Sequence, residues 1–108
     1  MLLGTNSGQY ASPMFSGKLP PSSSLEAPLI KALRNRLEPM TNRAIDEFVA
    51  RELELPQELL EVAHAPGRGG RTEFAYRMAW ARTRLKSKGV IERAGPSAWK
   101  LTGAGRDS

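Results

Sequence analysis

The chain has 108 residues, enough for one domain with a single modest core, and its net charge is +5 from 16 basic and 11 acidic residues. The absence of cysteine excludes disulfides and thiolate metal sites, and it fits a reducing, cytoplasmic location. Apolar runs are far shorter than the roughly 20 residues of a membrane span, and the start lacks the features of a secretory signal.

The charge is divided between two parts of the chain. Residues 66–108 hold ten Lys or Arg and three acids, a net charge of +7, whereas residues 24–65 hold five basic and eight acidic residues, a net charge of −3. A basic face of this kind favours a polyanionic partner, most often nucleic acid. An ordinary solvated surface with an excess of Lys and Arg is the alternative.

Residues 1–23 are rich in Ser, Gly, Pro and Asn and show neither helical nor strand periodicity. This composition predicts a flexible leader that the domain does not need for folding. A first helix is expected next, because apolar residues recur at spacings of three and four, and it should end before Pro39. The apolar stripe of this helix consists of Leu25, Leu29, Ile30, Leu33 and Leu37.

A second helix is predicted to begin at Thr41 or Asn42, either of which can cap it, and to end before Pro56. The acids along this stretch have no cysteine or histidine partners, so we expect a solvated face instead of a metal site. Residues 56–62 predict one or two further helical turns, and residues 65–70 predict an open loop. The buried face of the second helix is predicted to be Ile45, Phe48, Val49 and Leu53.

The third helix is the longest, predicted from about Thr72 to Ser87 and terminated by Gly89. At about 100° per residue, Arg82 and Lys86 fall on one flank. The opposite flank carries two arginines and a tryptophan, and the outermost row carries Tyr76 and Thr83. The stripe that faces the core consists of Phe74, Met78, Ala81 and Leu85.

Residues 90–102 predict a short β-hairpin with a turn at 94–97. Because side chains alternate along a strand, Trp99 and Leu101 should lie over the core, and Lys100 should lie on the other face. Helix, helix, long basic helix and hairpin follow the order of a winged helix-turn-helix domain. This is a mainly α fold with a three-helix core, an extra short helix and a β-hairpin wing. A helix about 10–12 Å across fits the major groove of duplex DNA, which is therefore the predicted partner.

Several local motifs occur together in this half of the chain. A Gly-Arg loop precedes the third helix, which then reads Arg-x-x-Trp-Ala-x-x-x-Leu-Lys-x-x-Gly, and the hairpin ends in an aromatic-basic-Leu-Thr run. This pattern closely resembles the N-terminal domain of the restriction system protein Mrr, over roughly residues 25–106. The matching residues are Gly70, Arg71, Arg77, Trp80, Ala81, Leu85, Lys86, Gly89, Trp99, Lys100, Leu101, Thr102 and Gly105.

The resemblance implies that residues 24–106 form a domain that recognises DNA. Mrr-like proteins couple this domain to a C-terminal nuclease of the PD-(D/E)xK type, in defence against foreign or modified DNA. No Glu-x-Lys or Gln-x-Lys triplet follows the hairpin here, so catalytic residues are not carried over. We expect neither an enzyme nor a bound cofactor or metal, and the chain is either a fragment of a longer nuclease or a stand-alone reader.

Nine basic residues are the candidates for contact with duplex DNA. Since a guanidinium matches guanine bidentately and an ammonium does not, we expect Arg82 to read a base edge, with Lys86 beside it. The loop at 67–71 lacks the Gly-Lys-Ser/Thr ending of a nucleotide loop, and it is either a linker or an arm that grips phosphates. The candidates are Arg68, Arg71, Arg77, Arg82, Arg84, Lys86, Lys88, Arg93 and Lys100.

Other interpretations of individual residues stay open. Arg77 lies four residues after Glu73 and can pair with it instead of touching DNA. Trp80 is expected to pack on a neighbouring element more than to stack on a base. His64 lacks partners at metal-ligand spacing and is expected in a loop or at a helix end. The same helix and wing can also dock a protein partner or form a homodimer, which an exposed apolar patch near Trp80 and Tyr76 would favour.

The missing carboxylate-lysine triplet gives a first prediction. The purified chain should not cleave duplex DNA in the presence of Mg²⁺ or Mn²⁺, as measured by gel electrophoresis of a plasmid and of a linear fragment. Metal-dependent cleavage that survives purification and is abolished by mutating one glutamate would contradict it.

Overall fold

A computed structural model of the chain describes residues 18–34, 36, 38–64 and 70–107. It is mostly helical with a small antiparallel sheet, and a 3-10 turn at Ser22–Leu25 precedes the first helix. The remaining elements, in chain order, are α1 (Glu26–Arg34), β1 (Met40–Thr41), α2 (Asn42–Glu52), α3 (Gln57–Leu60), α4 (Glu73–Ser87), β2 (Ile91–Arg93), β3 (Ala98–Leu101) and α5 (Gly103–Asp107).

The predicted order of helices followed by a hairpin is confirmed, and the sheet has one strand more than predicted. The strand order is β1-β3-β2, with both pairs antiparallel. Met40 of β1 lies opposite Trp99, and Ile91 of β2 lies opposite Leu101. The segment between the first two helices is therefore hydrogen-bonded to the hairpin, which fixes the hairpin beside the start of α2.

One core collects the apolar stripes of the helices and the inner face of the sheet. The predicted faces are buried where the structure describes them, except that Ile30, Phe48 and Leu53 are only partly buried, and Leu37 lies outside the described residues. Across the described ranges, no helix has the length and apolar character to cross a membrane. The most buried large side chains include Leu25, Leu29, Leu33, Ile45, Val49, Met78, Leu85 and Ile91.

Threonine hydroxyls cap the two helices that carry most of the surface features. The Oγ1 of Thr41 accepts a hydrogen bond from the Ala44 N–H at 3.1 Å, and the Oγ1 of Thr72 accepts one from the Ala75 N–H at 3.1 Å. Helix α4 ends at Ser87, and Gly89 terminates it as predicted. The φ of Gly89 is 76°, in the left-handed region that glycine tolerates. Both ends of α4 are therefore fixed by local sequence.

Helix α5 was not predicted. Its position explains why residue 105 is a glycine. The Oγ1 of Thr102 accepts a hydrogen bond from the Gly105 N–H at 3.0 Å, which starts the turn. A Cβ at position 105 would lie 2.1 Å from the carbonyl oxygen of Val90, so only glycine fits there. The chain after β3 is thus packed against the end of α4.

The packed part of the chain begins earlier than the predicted boundary at residue 24. Pro20 is buried and Leu19 packs against the core. The Nη1 of Arg77 donates to the carbonyl oxygens of Leu19 and Pro20, each at 3.0 Å, and Arg84 donates to the Ser22 hydroxyl at 2.8 Å. The first 17 residues of the predicted leader lie outside the described residues.

These contacts predict that residues 18–22 contribute to stability. A variant that begins at residue 23 should unfold about 10 °C below a variant that begins at residue 18, because it loses apolar burial and three hydrogen bonds worth about 2–3 kcal/mol. Thermal unfolding followed by circular dichroism measures the difference. Equal midpoints would show that this segment is dispensable.

Candidate functional site

Helix α4 has an inner face in the core and an outer face that borders two hollows. The predicted core stripe of Phe74, Met78, Ala81 and Leu85 is confirmed, since all four side chains are buried. The outer row forms a shallow apolar hollow of about 280 Å³, which we call the aromatic hollow. It is lined by Arg71, Tyr76, Ala79, Trp80 and Thr83.

A second hollow, of about 260 Å³, lies between α4, the start of α2 and the sheet. It shares Arg71, Ala79 and Thr83 with the aromatic hollow, so the two form one continuous concave surface. Four of its lining residues are cationic and none is acidic, and we call it the basic groove. It is lined by Asn42, Arg71, Ala79, Arg82, Thr83, Lys86, Arg93 and Trp99.

Two cations of the basic groove are open to a ligand. Arg71 and Lys86 are exposed, and no carboxylate in the described part of the chain pairs with either side chain. Lys100 is also exposed and without such a pair, but it lies on the outer face of the sheet, as predicted, and does not line the groove. These side chains can therefore exchange water and counterions for an anionic ligand without breaking an internal ion pair.

Trp99 forms the side of the basic groove next to the sheet, and it contacts both Asn42 and Arg93. Trp99 is buried under the hairpin as predicted, and its Nε1 donates to the Oδ1 of Asn42 at 2.7 Å. Arg93 lies over the Trp99 ring, 5.1 Å from its centroid, and donates to the carbonyl oxygen of Pro96 at 3.0 Å. Because the Asn42 oxygen is occupied, its amide NH₂ is left as a donor facing the groove.

Arg82 lines the same groove but is not the exposed residue that the helical geometry predicted. It is buried, with 7% of its surface exposed, and its Nη1 donates to the Oδ1 of Asp46 at 2.8 Å. Asp46 of α2 lies against this flank of α4, which the periodicity of α4 alone does not indicate. Burial raises the pKa of the Asp46 carboxyl, and the Arg82 guanidinium offsets part of that effect.

The opposite flank of α4 is occupied by the first helix and the residues before it. Arg84 donates to Glu26 at 2.7 Å, and Lys88 donates to the same carboxylate at 3.0 Å. Burial acts to raise the pKa of Glu26, but the hydrogen bonds from these two cations lower it below its ordinary value. Arg77 pairs with Glu73 at 2.6 Å, so its i, i+4 interpretation is confirmed. Arg68 lies outside the described residues.

The start of α4 carries a cluster that the sequence did not indicate. His64 stacks on Tyr76 with ring centroids 3.7 Å apart, and its Nδ1 lies 2.8 Å from the Oε1 of Glu73. Hydrogen bonds from His64 and Arg77 lower the pKa of Glu73. An isolated bridge between Ala63 and Thr72 closes this end of the loop. Within the residues that the structure describes, no group of His, Asp and Glu could hold a metal ion.

Trp80 differs from the prediction that it packs on a neighbouring element. Its side chain is 48% exposed, and its described ring contact is an edge-to-face one with Tyr76, at a centroid distance of 6.5 Å. The periodicity placed Trp80 correctly off the core stripe, but it could not show that the other described elements leave this side chain about half exposed.

The family model described as the Mrr N-terminal domain matches residues 23–108 of the chain. The searches of curated proteins and of solved structures gave no match.

The Arg82–Asp46 pair leads to a prediction about stability and pH. Arg82→Ala should lower the free energy of unfolding by about 2–4 kcal/mol at pH 7, because it leaves a largely buried carboxylate unpaired. Burial raises the pKa of Asp46 in the folded state. Once Arg82 is removed, the carboxyl therefore destabilises the fold increasingly as the pH rises above 3.8, the ordinary pKa of an aspartate. The loss should therefore be larger at pH 7 than at pH 4, as measured by urea denaturation.

Adding Asp46→Asn to the Arg82→Ala variant provides the control, since an amide cannot ionise. The double variant should recover part of the lost stability and should lose the same amount at both pH values. An Arg82→Ala variant with equal losses at pH 4 and pH 7 would show that Asp46 does not depend on Arg82.

Proposed function

The chain belongs to the Mrr N-terminal domain family, and we propose that it is a winged helix-turn-helix module that binds duplex DNA for a restriction system of the Mrr type. In this proposal, α4 enters the major groove, and the hairpin of β2 and β3 is the wing. The family is named for an N-terminal domain, which fits a role in target recognition separate from cleavage.

The basic groove is the observation that carries the proposal. It lies between α2, the sheet and the 15-residue helix α4, which at 1.5 Å per residue is about 22 Å long, and it has cations on both α4 and the hairpin. Lys86 lies on α4 and Arg93 lies on the hairpin. Both line the basic groove, so both can neutralise phosphates of a DNA duplex into which α4 is inserted. The basic residues of the other flank are already bound to Glu26 and Glu73.

This division changes the roles proposed for individual residues. Arg71, Lys86, Arg93 and Lys100 are proposed as contacts to DNA, because each is exposed and none pairs with a described carboxylate. Arg82 is proposed as a positioning residue, which fixes α4 against α2 beneath the groove. Three other candidates hold the fold together through the first helix and the residues before it, namely Arg77, Arg84 and Lys88.

A protein-interaction or dimerisation module is the second candidate, and one observation favours it. Trp80 is about half exposed, and together with Tyr76 it forms an apolar area on the outer face of α4. Sedimentation velocity over a range of concentrations separates the two proposals. A chain that stays monomeric and binds DNA supports the first one, and a dimer that ignores DNA supports the second.

The proposal predicts salt-dependent binding with a defined slope. If the four proposed cations neutralise four phosphates, log K against log salt should have a slope of about −3 to −4. Lys86→Ala should weaken binding about three- to tenfold and make the slope shallower by about one, because one phosphate contact is lost. Fluorescence anisotropy with a labelled random duplex, at several salt concentrations, measures both quantities.

Arg51→Ala is the matched control, since it removes one exposed cation at the opposite end of α2 from the groove. It should leave both affinity and slope nearly unchanged. Absence of binding at about 50 mM salt would remove duplex DNA as the main partner. Equal effects of Lys86→Ala and Arg51→Ala would show that DNA binds to the general positive charge of the surface and not to the basic groove.

A further inference from the structure

The aromatic hollow has a different chemistry from the basic groove that it joins. Its surface consists of the rings of Tyr76 and Trp80, the methyl group of Ala79 and the side chain of Thr83. The Thr83 hydroxyl donates to the carbonyl oxygen of Ala79 at 3.0 Å, so its proton is already used within α4. Arg71 contributes at the end shared with the basic groove. The outer row of α4 therefore presents mainly carbon atoms. A helix that recognises bases by hydrogen bonds would present polar groups at these positions.

The position of the hollow determines which part of a DNA duplex it meets. If α4 lies in the major groove with its core stripe turned away, the outer row faces the base edges. Those edges carry hydrogen-bond donors and acceptors at every base pair, and their one apolar group is the C5-methyl of thymine. A polar edge placed against the ring and methyl carbons of the hollow would lose water without gaining a partner from them, whereas a methyl group would be buried favourably there.

We propose that the aromatic hollow takes the C5-methyl of a thymine in the major groove and that Trp80 is the residue that determines this preference. The inference rests on the proposed function, because it requires α4 to face the bases. It adds a base preference, and it assigns that preference to an aromatic ring beside the arginine and lysine contacts.

The Trp80 ring is the end of a row of contacts that runs through Tyr76 and His64 to Glu73. The Tyr76 ring meets it edge to face at 6.5 Å, and Tyr76 is itself stacked on His64 at 3.7 Å. His64 is in turn held by Glu73 at 2.8 Å. A ring restricted by such contacts would lose less conformational entropy on binding than a free one, which favours discrimination between bases.

Duplexes enriched from a random pool by binding to the chain provide the probe. Each is resynthesised with deoxyuridine in place of every thymidine, which removes the methyl groups and leaves the hydrogen-bonding edges unchanged. The chain should bind the thymidine duplexes about fourfold more tightly for each buried methyl group, from about 0.8 kcal/mol per group. Trp80→Ala should bind the two forms with nearly equal affinity.

Val62→Ala is the matched control, because Val62 and Trp80 are the two exposed large apolar residues in the described part of the chain, and Val62, at 44%, lines neither hollow. It should keep the preference for thymidine. Circular dichroism of each variant verifies that the helical content is retained.

Three outcomes would overturn the inference, and they can be told apart. Equal binding of both duplexes by the unmodified chain, with the salt dependence intact, removes the methyl contact and leaves the proposed function standing. A thymidine preference that survives Trp80→Ala places the contact elsewhere. A chain that binds neither duplex but self-associates through Trp80, as shown by sedimentation, removes both proposals and identifies the hollow as a protein contact.

Discussion

The ion pair between Arg82 and Asp46 determines how the long basic helix is presented. It joins α4 to the first turns of α2 across 36 residues of sequence, and it is mostly buried. Such a pair adds little net stability over an apolar contact, but breaking it is costly, so it favours one relative placement of two helices. Among the residues that the structure describes, Asp46 of α2 pairs with α4 on this flank and Glu26 of the first helix pairs with it on the other, which leaves the outer row of α4 and Lys86 exposed.

The basic character of the second half of the chain therefore has two different uses. Arg77, Arg84 and Lys88 bind Glu73, Glu26 and backbone carbonyls, which attaches the first helix and the residues before it to α4. Of the other basic residues in this half, Arg71, Lys86 and Arg93 line the basic groove, and Lys100 lies on the outer face of the sheet. Net charge alone favoured a polyanionic partner, but only the pairing of individual charges shows which face of α4 can still offer positive potential to it.

Local sequence predicted the elements, and contacts between distant residues account for what it missed. Periodicity and caps gave α1, α2 and α4, since these depend on neighbours within one or two turns. Strand β1 has two residues and exists because Met40 pairs with Trp99, which no local pattern reveals. The burial of Arg82 was missed for the same reason, because its partner lies in another helix, and the exposure of Trp80 depends on how the other described elements pack.

We propose that DNA binds to the face of α4 next to Lys86. Titration of ¹⁵N-labelled chain with a short duplex, followed by two-dimensional NMR, tests this orientation residue by residue. We expect the largest shift changes at Arg71, Thr83, Lys86 and Arg93, with small ones along the flank that carries Arg84. Shifts concentrated on the flank of Arg84, or none at stoichiometric duplex in low salt, would contradict it.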